Sequence, residues 1–207
     1  MITLYTAHTG NGHRVSIMLE EVGIAYDVVR VDLTSAALSG SALLAVNPMG
    51  QIPAIVDTNG PGGAAVRLGE SSAILRYLAR KTGKLLPQGP LAQMEADRWT
   101  AIAAGGLQAA PTTIYFSRAL GEVQHAAIIA KQYNVIDRYL AVMDARLSTS
   151  PYLAGDQYSY ADILGFSIAN GTLAAFGISL DCYPAIAAWK AAIAARPAVL
   201  RGLMVPG

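Results

Sequence analysis

The stretch NPMGQIPAIVD, residues 47–57, contains the features that decide the fold of this chain. Its second half, IPAIVD, is a short apolar run rich in β-branched residues, which is typical of a strand. Pro53 stands inside this run. Because proline removes a hydrogen bond from a β-ladder, it is confined to an edge, a first position or a bulge, and it is sometimes cis. The preceding residues, NPMG, are turn formers. The stretch therefore predicts a tight turn that ends at Pro53 and leads directly into a strand. We call this turn the corner.

A β-α-β unit is predicted before this corner. ITLYT (Ile2–Thr6) and YDVVRV (26–31) are β-prone runs. The apolar residues between them recur at helical spacing and are followed by Gly23, which is suited to end a helix; they are Val15, Met18, Leu19 and Val22. A crossover helix of this kind predicts two parallel strands.

A hairpin and a second helix are predicted after the corner. IPAIVD and AVRL (65–68) are separated by TNGPGGA (58–64), which favours an antiparallel hairpin. Residues 70–81 return to helical spacing, and Gly83 follows them as a stop signal. The first 83 residues are therefore predicted to form a small α/β domain.

The chain changes character after KLLPQGP, residues 84–90, which we interpret as a linker. Strand signals disappear and alanine becomes abundant. One long amphipathic helix is predicted from apolar residues spaced four and three apart, namely Ile129, Tyr133, Ile136, Leu140, Met143 and Leu147. YPAIAAWKAAIAARP (183–197) is another helix, with Pro197 just beyond its end. Residues 91–207 are predicted to form an all-helical domain.

Composition excludes several classes of protein. The chain is 53% hydrophobic and 14% charged with a net charge of +1, which favours a folded protein without a nucleic-acid partner. The single cysteine, Cys182, excludes a disulfide framework and favours a reducing, cytoplasmic location. The uncharged stretch 163–180 contains polar residues and glycines, so we interpret it as a buried helix and expect no membrane span. His8 and His13 have no metal-binding spacing, and no metal is expected.

Four segments together resemble the cytosolic glutathione transferases in order and spacing. They are LYTAHTGNGHRVSIMLEEVGIAYDVVRVDL (4–33), NPMGQIPAIVD, ESSAILRYLARKTG (70–83) and YLAGDQYSYADI (152–163). The resemblance implies a thioredoxin-like domain at residues 1–83, an all-helical domain at 91–207, and a homodimer that binds glutathione mainly through the first domain. In this family the proline matching Pro53 is cis. The backbone of Ile52 is then expected to pair with the cysteinyl part of glutathione like an added strand.

Glu70 and Ser71 open the second predicted helix. Unpaired backbone N–H groups and the helix dipole at such a position favour a carboxylate. With the family resemblance, we expect Ser71 to meet the γ-glutamyl carboxylate of glutathione and Glu70 to meet its ammonium group. The alternative is that both residues only cap the helix.

The nucleophile implied by the resemblance is the glutathione thiol, whose reference pKa of about 8.5 requires stabilisation of the thiolate. Thr9 and Asn11 lie in the turn before the first helix and supply candidate donors. This arrangement most resembles the bacterial nu class, some members of which reduce disulfides or peroxides with glutathione. Tyr5, within the first strand, is the alternative donor.

Three further positions are compared with the residues that contact glutathione in relatives. Gln51 lies where many relatives have a lysine for the glycyl carboxylate of glutathione, and Leu38 lies where relatives often have a polar residue. In nu-class relatives, a basic residue matching Lys131 reaches glutathione bound to the partner subunit. Lys131 is equally consistent with an ordinary solvated lysine.

Two functions follow from these expectations. The first is an enzyme that uses the glutathione thiol for conjugation to a small hydrophobic electrophile, or for reduction of a disulfide or peroxide. The second is a catalytically weak, glutathione-binding or regulatory dimer. A separate motif, Ser159–Asp162 in the sequence SYAD, has the form of a capping box and is expected to be structural.

Overall fold

A four-stranded mixed sheet organises the N-terminal part of the chain. The strands β1 (Ile2–Thr6), β2 (Tyr26–Arg30), β3 (Ala54–Asp57) and β4 (Val66–Leu68) lie in the order β2-β1-β3-β4. Strand β1 pairs in parallel with β2 and antiparallel with β3, which pairs antiparallel with β4. This confirms the predicted crossover and hairpin. The structure, a computed structural model, describes residues 1–34 and 42–207, so Leu38 lies outside the described residues.

Two helices pack with this sheet, α1 (Gly10–Val22) and α2 (Ser71–Thr82). The apolar stripes of both helices are buried, as the spacing predicted. Each helix ends at a glycine in the left-handed region, with φ of 72° at Gly23 and 69° at Gly83. Because only glycine adopts this conformation without strain, these two residues set the helix ends.

The middle of the chain is mainly helical, with an isolated β-bridge between Tyr152 and Gly155. Its helices are α3 (Pro90–Ala101), α4 (Ala109–Gly121), α5 (Ala126–Leu147), α6 (Tyr160–Ser167), α7 (Leu173–Ala175) and α8 (Pro184–Ala194). Helix α5 buries Ile129, Ile136, Leu140 and Met143, which confirms the predicted amphipathic helix. Every residue of α6 is buried, but the helical part of the stretch 163–180 ends at Ala175. In the described ranges, no helix is long and apolar enough to cross a membrane.

The last helix, α9 (Pro197–Leu203), packs against α1. A side chain at Gly202 would place its Cβ 2.5 Å from the Cα of Ile17, so the two backbones touch. Ser16 Oγ donates a hydrogen bond to the Gly202 carbonyl at 2.7 Å. Arg196 forms a bidentate ion pair with Glu21, with contacts of 2.6 and 2.8 Å.

The chain therefore divides differently from the ranges expected from the sequence. One unit comprises residues 1–86 and 194–207, and the other comprises residues 87–193. The sequence predicts one helical domain at 91–207, with Pro197 just beyond the end of a helix. Pro197 instead occupies the first turn of a further helix, where a proline is also favoured because no N–H partner is lost.

Candidate active site

The corner at Pro53 is held by the side chain of Asn47. The Ile52–Pro53 peptide bond is cis, as the family resemblance implied. Asn47 is 6% exposed, and its Nδ2 donates to the Gln51 carbonyl at 2.8 Å while its Oδ1 accepts from the Met49 N–H at 3.2 Å. Sequence reasoning did not select Asn47, although an asparagine opening a turn commonly bonds its own backbone in this way.

A glycine brings the start of α2 close to this corner. A Cβ on Gly69 would lie 2.7 Å from Asn47 Nδ2, so no larger residue fits there without a shift of Asn47. The close approach places Glu70 and Ser71 beside Gln51 and Ile52. One pocket results, lined by Asn11, Asn47, Gln51, Ile52, Pro53, Glu70 and Ser71.

This pocket gathers six of the eight residues selected from the sequence. Its volume is about 50 Å³, whereas pockets that enclose a whole small molecule usually measure about 300 Å³ or more. It therefore admits one polar group of a ligand, and the rest of the ligand must extend along the surface. Thr9 lies two residues from Asn11, and Lys131 is an exposed residue of α5 in the helical unit.

The start of α2 presents unpaired donors to the pocket. The first backbone hydrogen bond of the helix joins the Ile74 N–H to the Glu70 carbonyl at 3.0 Å. The N–H groups of residues 71–73 precede it and make the helix start suitable for an anion. Glu70 has φ of 63° and makes no side-chain capping bond, so its exposed carboxylate does not cap the helix.

Ser71 accepts a hydrogen bond from a buried arginine that was not predicted from the sequence as a site residue. Arg14, on α1, is 3% exposed, and its Nη1 donates to Ser71 Oγ at 3.1 Å. Burial lowers the pKa of Arg14 to about 10, so the guanidinium stays protonated at neutral pH. The two residues are 57 positions apart, and no local pattern signals their contact.

Thr9 and Asn11 lie at the start of α1, and Asn11 is its second residue, so it lies within the helix and not in the preceding turn as predicted. Thr9 is the N-cap residue, and its Oγ1 accepts from the Gly12 N–H at 3.1 Å, which leaves its hydroxyl proton available to another acceptor. Asn11 is exposed, and its side-chain amide makes no hydrogen bond to any residue in the described ranges. Both side chains are therefore able to donate to an anion at the helix start.

Tyr5 occupies a different environment. It packs against the buried cluster of Leu43, Val46 and Ala54, in which Ala54 belongs to β3. It also lines a separate pocket with residues of β2 and is not among the residues around Asn11 and Ser71. The geometry thus favours Asn11 over Tyr5 as a donor in this pocket, which Thr9 does not line either.

Two histidines flank the turn that carries Thr9. His8 Nδ1 and His13 Nε2 are 3.2 Å apart, which is a hydrogen-bond distance. Burial, and then the charge of His8, lower the pKa of His13. No group of three or more metal-binding side chains occurs within the described ranges.

We expect His13 to make stability depend on pH. Its pKa in the folded protein lies below the unfolded value of about 6.5, so the unfolded state binds the proton first. The contribution of this group is complete above about pH 6.5 and is lost as the pH falls through the folded pKa. Urea unfolding of wild type and His13→Gln across this range tests it, with His125→Gln as a control. An equal pH slope in His13→Gln would contradict the assignment.

Comparisons with known proteins identify the family of this chain. The family model of the glutathione S-transferase N-terminal domain matches residues 11–81, and that of the C-terminal domain matches residues 110–197. The disulfide-bond oxidoreductase YfcG of Escherichia coli (strain K12) is 36% identical over 207 residues, covering 99% of this chain and 95% of the relative.

Solved structures of glutathione transferases are also similar to this chain in fold and sequence. A glutathione transferase family member from Pseudomonas fluorescens Pf-5, with two glutathione molecules bound, has a TM-score of 0.91 and 36% identity, covering 99% of this chain and 93% of its own. A glutathione transferase from Pseudomonas putida, with one glutathione disulfide bound per subunit, has a TM-score of 0.92 and 32% identity, covering 100% and 92%. The chain therefore belongs to the glutathione transferase family of enzymes, with a thioredoxin-like N-terminal domain and a helical C-terminal domain.

Proposed function

We propose that this chain binds glutathione at the pocket and uses the glutathione thiol to reduce disulfides. The observation that carries this proposal is the convergence of Asn11, Ile52, Glu70 and Ser71 on one pocket. In relatives with solved structures, bound glutathione or glutathione disulfide is part of the structure.

The charged and hydrogen-bonding groups of the pocket are complementary to the polar groups of glutathione. The γ-glutamyl carboxylate meets only donors at the start of α2, namely the Ser71 hydroxyl and the backbone N–H groups. The γ-glutamyl ammonium meets the exposed carboxylate of Glu70. The cysteinyl backbone pairs with Ile52 at the corner formed with Pro53. Gln51 offers the glycyl carboxylate a neutral hydrogen bond, which is weaker than the ion pair a lysine would make.

Thr9 and Asn11 are assigned to the thiolate. Each side chain has a donor available, and both lie at the positive end of the α1 dipole. The assignment of threonine and asparagine to the thiolate, without tyrosine, serine or cysteine, is the support for proposing the bacterial nu class within the family.

The reaction consists of two thiol–disulfide exchanges. The glutathione thiolate attacks one sulfur of the substrate disulfide, so that a mixed disulfide forms and one substrate thiolate leaves. A second glutathione thiolate attacks the glutathionyl sulfur of the mixed disulfide, which gives glutathione disulfide and releases the second substrate thiolate. Two glutathione thiols supply the two electrons. A thiolate is a good leaving group, so this reaction demands less activation of the nucleophile than aromatic substitution does.

Steady-state kinetics with glutathione and three acceptors test this function. The acceptors are a small disulfide, a hydroperoxide and an aryl halide. We expect the disulfide to be turned over fastest. Glutathione binding without turnover of any acceptor would favour the alternative, a regulatory or binding dimer, for which the neutral Gln51 is the supporting observation.

Ser71→Ala is expected to weaken glutathione binding by about 1 to 3 kcal/mol, because the carboxylate loses the hydroxyl donor of Ser71. Isothermal titration calorimetry measures this change. Ser72→Ala is the matched control, since Ser72 is the next residue of α2 and does not line the pocket. Unchanged affinity in folded Ser71→Ala would show that Ser71 serves only the helix start.

We further propose that the chain forms a homodimer in the cytoplasm and that Lys131 acts across its interface. The first unit has a second cavity of about 650 Å³, lined in part by Arg76, Arg80 and Lys81. The helical unit exposes apolar side chains, including Leu91 at 75% and Leu120 at 77%. Such surfaces are consistent with association. Sedimentation velocity tests the dimer, in which Lys131 would reach glutathione on the partner.

A further inference from the structure

A buried arginine lies directly behind the proposed carboxylate site. Arg14 is 3% exposed, although arginine is seldom so deeply buried. Burial of a guanidinium is costly unless its N–H groups are paired. One of these groups is bound to Ser71 Oγ at 3.1 Å. Among the described residues, this bond links the charge on α1 to the first residue of α2.

The hydrogen bond from Arg14 determines the direction in which the Ser71 hydroxyl donates its proton. A serine hydroxyl has one proton to donate and two lone pairs that accept. Because the Arg14 N–H occupies a lone pair, the hydroxyl proton must point away from Arg14. A donor cation also polarises the O–H bond and strengthens its donation. Ser71 is therefore prepared to donate to an anion in the pocket.

We propose that Arg14 is a positioning residue that aims the Ser71 hydroxyl at the γ-glutamyl carboxylate of glutathione, an inference that rests on the proposed glutathione site. Arg14 acts through Ser71 and does not need to touch the ligand. Its guanidinium also lies next to the site in a region where burial weakens screening by water.

A purely structural role for Arg14 would give a different result. A bridge between α1 and α2 would affect folding, or would affect the binding of every ligand equally. A positioning role affects only ligands that carry the γ-glutamyl carboxylate. The ratio of two ligand affinities therefore separates the roles, since a general loss of folded protein cancels from the ratio.

The experiment compares glutathione with γ-aminobutyryl-cysteinylglycine, which lacks only the carboxylate in question and retains the amino group. Calorimetry measures both affinities for wild type, Arg14→Met, Arg14→Lys and Arg67→Met. Arg67 is an exposed residue of β4 that does not line the pocket, so Arg67→Met controls for the loss of one positive charge in the same unit. Thermal melts report the folding of each variant.

Wild type is expected to prefer glutathione, and Arg14→Met is expected to reduce that preference about tenfold or more, in line with loss of a charge-assisted hydrogen bond. Arg14→Lys should retain part of the preference, and Arg67→Met all of it. An unchanged ratio in Arg14→Met overturns the inference while leaving the glutathione site intact. If wild type binds neither ligand, the proposed function itself fails. If Arg14→Met does not fold, Arg14→Lys supports the same comparison, and an affinity ratio equal to that of wild type then overturns the inference.

Discussion

Asp162→Ala is expected to lower the free energy of unfolding by about 3 to 5 kcal/mol, the range for breaking a buried charged network. Asp162 is completely buried. Its carboxylate accepts from four donors at 2.9 to 3.1 Å, namely the Leu153 N–H, the Ser159 N–H, Ser159 Oγ and Trp189 Nε1. Burial raises the pKa of Asp162, and these donors oppose the rise. Alanine would leave all four donors without their acceptor.

The sequence alone predicted a smaller effect. A capping residue contributes only about 0.5 to 2 kcal/mol, and the contact with the Ser159 N–H is the capping interaction that the SYAD motif predicted. The bonds to Leu153 and Trp189 join α6 to a preceding loop and to α8, and no local pattern indicates them.

Urea unfolding measures the effect. Ser159→Ala is the matched comparison, because it removes only one of the four hydrogen bonds to Asp162, and it should cost about 0.5 to 2 kcal/mol. Turnover per folded molecule should be nearly unchanged in both variants. A large loss of turnover at unchanged stability would show that Asp162 takes part in the chemistry.

Asn11→Ala and Thr9→Ala are each expected to reduce glutathione-dependent turnover of a small disulfide by about 10- to 100-fold. This is at or below the loss for one oxyanion-type donor. The thiolate is proposed to share donors from both side chains and from the start of α1, so neither variant should lose all activity.

The comparison depends on separating catalysis from folding. Thr9 also caps α1 by accepting from the Gly12 N–H, so Thr9→Ala costs some stability as well. Thr9→Ser keeps a hydroxyl and serves as the matched control, with a rate expected near that of wild type. Tyr5→Phe removes the alternative donor and should change the rate little. Wild-type rates in both alanine variants, with an inactive Tyr5→Phe, would move the protein to the tyrosine-using classes.

The sequence by itself determined the elements with local signals. Hydrophobic spacing located β1, α1 and α2, because one face of each must be buried, and left-handed glycines ended both helices. Pro53 indicated the corner at β3, because proline in a strand has few acceptable positions. The family resemblance then selected eight site residues. The fold brings six of them to one pocket, whereas Thr9 and Lys131 do not line it.

The tertiary structure decided the contacts between residues far apart in the chain. Pro197 gives the same local signal for the end of one helix and the start of the next, and only the packing of Gly202 on Ile17 shows that α9 joins the first unit. In the sequence, Arg14 is an ordinary polar residue of a helix. In the structure, its Nη1 lies 3.1 Å from the Oγ of Ser71, the first residue of α2. Hydrophobic periodicity reports which face of a helix is buried, but the partner of a buried charge is set by the packing of another element against that face.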